Sequence, residues 1–346
     1  MGEQVLARRT EVTVSFGGVD ITRDIKPYFL DLTYTDDADD TVDDLKLTVQ
    51  DRDGVWVEQW LEEAVEAAAG NKLSIGAVIA PKHWGNGDTL DTGTFELDSV
   101  DVSGPPATVT INATSLAFSS DIRQTKKSKA WESCNLSGIA REMAAGGGMG
   151  CMYLAAQDPY YDRVEQTKQS DIEFLKKLCQ DAGISIKATD GKIVLFDQAD
   201  YESKPPVRIL EKGKGGYDKY KLASGSADTK YAMCRVRYMN PATGTCIEGT
   251  AEDPDVSGEQ CLEITAKVNS IGQAQELAQK TLRLHNKLAL TGTFTMPGDV
   301  GMVAGVTILL KGWGGWDGKY IVQRATHTVG SSGYTTQIKI RKVLGY

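Results

Sequence analysis

The sequence predicts a mainly β protein with an α/β insert (α+β): two tube-like antiparallel β-barrels flanking a small helix-strand domain. Three observations carry this. Apolar and polar residues alternate with a period of two in short runs across residues 10–118 and 206–346. The chain's 36 glycines supply the turns between those runs. A helix, strand, turn and strand lie between the two β-rich stretches. At 346 residues the chain has room for three domains with proper cores, which we set at 1–118, 119–205 and 206–346.

The elements follow in order. Val12, Val14 and Phe16 alternate ahead of the Gly17-Gly18 turn, and strands follow over residues 28–35 and 45–50. Between them Asp36, Asp37, Asp39, Asp40, Asp43 and Asp44 form an acidic loop whose carboxylates repel one another and belong in water. Its spacing does not meet the calcium-loop pattern, so no metal is expected. Asp51-Arg52-Asp53-Gly54 is a turn, after which Trp56, Trp60 and Leu61 recur at helical spacing in a short helix over 55–63 that plugs a barrel end. Strands over 72–81, 92–103 and 108–115 complete the first domain near Phe118.

In the insert, Lys126, Lys127 and Lys129 read as a solvated loop before Trp131. Leu136, Ile139, Ala140 and Met143 mark one face of a helix that ends in a glycine run, which lacks the strand-loop-helix order of a phosphate cradle. Ser170-Asp171-Ile172-Glu173 is a capping box. Phe174, Leu175, Leu178 and Ala182 share the face of the helix it opens, and Gly183 stands where a left-handed residue ends it. Ile184 and Ile186, then Asp190-Gly191, then Ile193 and Leu195 spell a β-hairpin. Pro205-Pro206 closes the domain.

Strands over 217–226, 231–240, 245–251 and 258–268 open the third domain. Ser270 and Gln273 form a second capping box for a helix over about 270–287, with Ile271, Ala274, Ala278, Leu282, His285 and Leu288 on one stripe. His285 is expected as a hydrogen-bonded core or interface histidine. Strands over 290–298, 306–310, 319–328 and 334–341 end the chain. Trp313 and Trp316 lie in a glycine-rich loop over 311–318; exposed on its tip they would mark a partner interface, and otherwise they fold back on the barrel.

Net charge of −9 disfavours specific nucleic-acid binding and anionic lipid, and no 18-residue apolar run exists for membrane insertion. Six cysteines at wide separations, with no Cys-x-x-Cys and no signal peptide, are expected as reduced thiols. Neither His-Glu-x-x-His, Gly-x-Ser-x-Gly nor a nucleotide fingerprint occurs, so the chain is expected to be no enzyme and to take no cofactor. A two-carboxylate glycosidase leaves no motif and stays open on this ground alone.

The run Glu165-Gln166-Thr167-Lys168-Gln169-Ser170-Asp171-Ile172-Glu173-Phe174-Leu175-Lys176-Lys177-Leu178-Cys179, with Ala182-Gly183 and Asp190-Gly191, resembles the centre of the phage late control protein D family. These are baseplate hubs of contractile tails, related to the hub part of type VI secretion spike proteins. Phe294-Thr295-Met296-Pro297-Gly298-Asp299, Asp317-Gly318-Lys319-Tyr320, and His327 ahead of Gly333-Tyr334 resemble the family's closing barrel, and the stretch from Asp31 to Trp60 its opening barrel. The resemblance implies a homotrimer whose six barrels join the six-fold tail tube protein to the three-fold central spike protein, beside other baseplate components. It implies a place in the tail baseplate of a virion or tailocin, assembled in the bacterial cytoplasm; the sequence departs from the family in carrying no fused spike or effector, so a tip formed by a separate polypeptide is expected. Under that reading the acidic loop, Asp36, Asp37, Asp39, Asp40, Asp43 and Asp44, is expected to face the lumen and repel passing DNA. The alternatives are a carbohydrate-binding adhesin barrel, with Trp313 and Trp316 stacking on sugar, and the hub of a type VI-like injection device.

Overall fold

The computed structural model of the protein describes residues 7–38, 42–56, 74–84, 86–115, 121–225, 230–241 and 244–345. Asp39, Asp40, the expected helix beyond Trp56 and the boundary near Phe118 lie outside the described residues. In the first β region, period-two alternation yields β1 (Arg9–Phe16), β2 (Val19–Asp20), β3 (Phe29–Asp37), β4 (Asp44–Gln50), β5 (Ser74–Lys82), β6 (Leu90–Ser103) and β7 (Thr108–Thr114). Leu32, Leu45, Leu47, Val49, Val109 and Ile111 point to one side and fill its core. Each such side chain contributes roughly 1.5–3 kcal/mol on burial.

The insert holds β8 (Lys127–Asn135), β9 (Gly150–Tyr153), β10 (Tyr160–Gln169), β11 (Ser185–Thr189) and β12 (Lys192–Phe196). The expected lysine loop is therefore a strand; Lys127 is anchored by Asp171 at 2.6 Å and Lys129 by Glu142. The helix Asp171–Ala182 has both bonds of its capping box and a left-handed Gly183 at φ 66°. Asp190 and Gly191, both at positive φ, turn β11 into β12. With the helix Leu136–Gly146 these elements enclose an apolar core of their own.

The rest of the chain forms β13 (Arg208–Glu211), β14 (Lys219–Ser224), β15 (Met233–Met239), β16 (Cys246–Glu252), β17 (Cys261–Thr265), β18 (Leu290–Pro297), β19 (Thr307–Lys311), β20 (Gly318–Gly330) and β21 (Gly333–Lys342). Of these, β15, β16 and β17 leave the main sheet and pack on the helix Ile271–Asn286 as a separate module with its own core, a unit the alternation pattern does not reveal. Gly249 permits the contact: a Cβ there would lie 2.3 Å from the Gln275 nitrogen.

The expected helix stripe holds in its middle and fails at both ends. Ala274, Ala278, Leu282 and Asn286 are buried, whereas Ile271, His285 and Leu288 are exposed. Asn286 replaces an apolar residue because its amide bonds the Tyr231 backbone and Asp253. The second capping box is half formed: Ser270 accepts from Gln273, but the Gln273 side chain accepts from Asn269 instead of Ser270.

Residues 207–225 and 290–345 form the second β region, with a core around Phe294, Tyr320, Ile338 and Ile340. The two β regions are not separate. β3 pairs antiparallel with β20, so thirteen strands make one sheet running β14-β18-β21-β20-β3-β4-β7-β6-β5-β1-β2, with β19 and β13 branching from β20.

Candidate functional site: one open sheet face and two buried ion triads

Strand alternation gives the joined sheet an apolar side, filled by the two β-region cores, and a polar side. Directly paired residues share a side. One such row runs Lys219, Thr295, Gln337, Thr326, Thr35, Asp44, Thr114, Glu96 across eight strands. A second runs Lys221, Thr293, Lys339, Arg324, Asp37. Hydroxyls and amides bond across this side of the sheet, as at Thr33 with Thr328 and Gln337 with Thr295. Arg324 reaches across the seam between the two regions to Asp37 at 2.6 Å.

On the other side the acidic loop meets the insert. Lys187 of β11 bonds Asp36 and lies 3.2 Å from Asp43. Asp36 also accepts from the Ala304 N–H, and Asp43 from the Asp37 N–H. Val42 bridges Ala188, and Ser115 ties the Asp43 N–H to the Ala188 carbonyl. Burial, the neighbouring Asp36 charge adding to it, pushes Asp43 up to about 6. Burial works against the Lys187 ammonium, but Asp36 and Asp43 together hold its pKa above the usual value.

The loop therefore departs from the expected solvated run. Asp36, Asp37 and Asp43 are buried, Asp36 and Asp43 turned into the insert junction, because a cation 144 to 151 positions away in sequence neutralises them. Of the loop's described aspartates Asp44 alone is exposed, on the open face.

A second triad has the opposite sign. Glu202, in the short helix Gln198–Ser203 that closes the insert, bonds Arg341 of β21 at 2.5 Å and Arg283 of the Ile271–Asn286 helix at 2.5 Å. Arg341 is 2 % exposed and also donates to Gln198. Between the triads the insert sheet and the second β region border an open pocket of about 300 Å³, lined by Met152, Val194, Phe196, Tyr201 and Ile321 among others.

The tryptophans resolve towards the barrel. Trp313 is 6 % exposed, donates its indole N–H to the Leu210 carbonyl at 3.0 Å, and packs on Tyr217, Tyr220 and Phe294. Trp316 is packed against the same core. The loop-tip surface expected for a partner is thus occupied by the protein's own aromatic residues. His327 is buried, stacked on Tyr34 and bonded to Tyr334 and the Met302 carbonyl; burial lowers its pKa to about 4. Among the described residues no group of three or more His, Cys, Asp or Glu is placed to hold a metal, and no helix is long and apolar enough to cross a membrane.

This architecture is the fold of phage tail proteins. No protein-family model and no curated protein matches the chain. Among solved structures it is similar to the 43 kDa tail protein of prophage MuSo2 from Shewanella oneidensis, with TM-score 0.67 and 14 % identity over 96 % of this chain and 98 % of that one. It is similar as well to a tail protein from Neisseria meningitidis MC58, with TM-score 0.68 and 13 % identity over 96 % and 97 %. An E. coli type VI secretion component described as similar to T4 tail proteins gp27 and gp5 gives TM-score 0.55 and 10 % identity over 96 % and 77 %.

Proposed function

We propose that the chain is the structural baseplate hub of a contractile phage tail or tailocin: a homotrimer that joins the six-fold tail tube to the three-fold central spike. The observation that carries this reading is the joined sheet, in which one polypeptide presents two β regions edge to edge with a common polar face. Three copies in a ring present six such regions on one side and three inserts on the other. The polar face, with Asp44 on it, is then the channel wall. Mechanism in this setting is mechanical: buried interface area holds the symmetry mismatch, and the triads fix the insert against the tube wall. The likeness to a type VI component extends the reading to injection devices of that kind, whereas burial of Trp313 removes the ground for a sugar-stacking adhesin. Electron cryomicroscopy of tails carrying a tagged chain tests it. Three tags at the spike end of the tube are expected; tags along the tube or sheath contradict it.

A further inference from the structure

Charge is sorted between the two β regions. Residues 9–115 hold seven Lys and Arg against 21 Asp and Glu, a net −14; residues 207–225 and 290–345 hold eleven against four, a net +7. The remainder of the chain is close to balanced, so the overall −9 conceals a strongly polar molecule.

The internal seam shows what such sorting does. There the basic region meets the acidic one, strand on strand, with Arg324 on Asp37 at 2.6 Å. Among the described residues β14 ends the sheet, pairing with β18 on one side, and it exposes Lys219, Lys221 and a half-exposed Tyr220. Lys212 and Lys214 in the preceding turn are exposed too. On the first region Asp20, at the other end of the sheet, and Asp91, Asp98 and Asp101 of β6 are exposed.

We propose that copies of this chain associate head to tail through this charge, the basic surface around β14 of one copy docking on the acidic first β region of the next. Like regions repel and unlike regions attract, so in a ring the contact between copies repeats the order of the internal seam and excludes contacts of first region with first region. The proposal rests on the homotrimeric hub reading for the size of the ring. The complementarity itself is a property of this chain.

The test uses an equal mixture of ¹⁴N- and ¹⁵N-labelled full-length chains, joined by a zero-length carbodiimide that links lysine to carboxylate only in contact. Expected are mixed-isotope links from Lys219, Lys221 or their basic neighbours to acids of residues 9–115. Association should weaken about tenfold or more between about 50 and 500 mM NaCl. The folded variant Lys219→Glu/Lys221→Glu should associate more weakly than the parent at low salt. A trimer indifferent to salt and to the double reversal, or links only between like regions, overturns the proposal and leaves the hub reading standing. A monomer at every salt concentration overturns the proposal and counts against the hub reading as well.

Discussion

The two triads that pin the insert are opposites. At one, a single cation, Lys187, serves two carboxylates; at the other, a single carboxylate, Glu202, serves two guanidinium groups. Both bury ions, and buried ion pairs are a weak source of net stability but a strong source of geometry, because removing one partner strands the others. They differ in how the stranded charge escapes. A carboxylate relieves its burial by taking a proton, and Asp43 already does so at about 6. An arginine has no such exit.

The largest effect should come from the arginine triad. Glu202→Gln strands Arg341, which is 2 % exposed, and should cost about 3–5 kcal/mol in chemical denaturation. Hydrogen exchange should rise in the Gln198–Ser203 helix and β21. A loss below about 1 kcal/mol would show that the triad is solvated and not structural.

Lys187→Met should cost less, about 2–4 kcal/mol at neutral pH, since proton uptake by Asp43 offsets part of the loss. It should recover towards the parent as pH falls to about 5, whereas Glu202→Gln should not. Equal recovery of both would erase the contrast between the triads.

Smaller effects separate two buried titrating groups in the parent. Asp43 has a pKa raised to about 6 from 3.8, so the folded protein binds a proton that the unfolded chain lacks, and stability grows as pH falls through that window. His327 is lowered to about 4 from 6.5, so the unfolded chain binds the extra proton and stability falls over nearly the same range. The two slopes oppose. Between pH 7 and 5 the melting temperature of Asp43→Asn should fall relative to the parent, and that of His327→Gln should rise; slopes of the same sign would contradict the burial of one group.

Much of the fold was legible because its signals are local. The Ser170 capping box, the left-handed Gly183 and the Asp190-Gly191 turn each fix backbone within a few residues, and strand alternation needs no partner to be read. What was not legible depends on distant contact. Nothing near Asp36 announces Lys187, nothing near Trp313 announces the Leu210 carbonyl, and the helix stripe ends on Asn286 and not His285 because a polar side chain satisfied by Tyr231 and Asp253 imitates a solvent position. The β3–β20 seam joins strands almost 300 residues apart, so two barrels in sequence became one sheet in space.

The proposed trimeric hub is tested by the absolute mass of the purified protein, measured by light scattering across a concentration series at low salt. The expected result is a species near three times 37.5 kDa that persists on dilution. A strict monomer, or a dimer closed on itself, would contradict it.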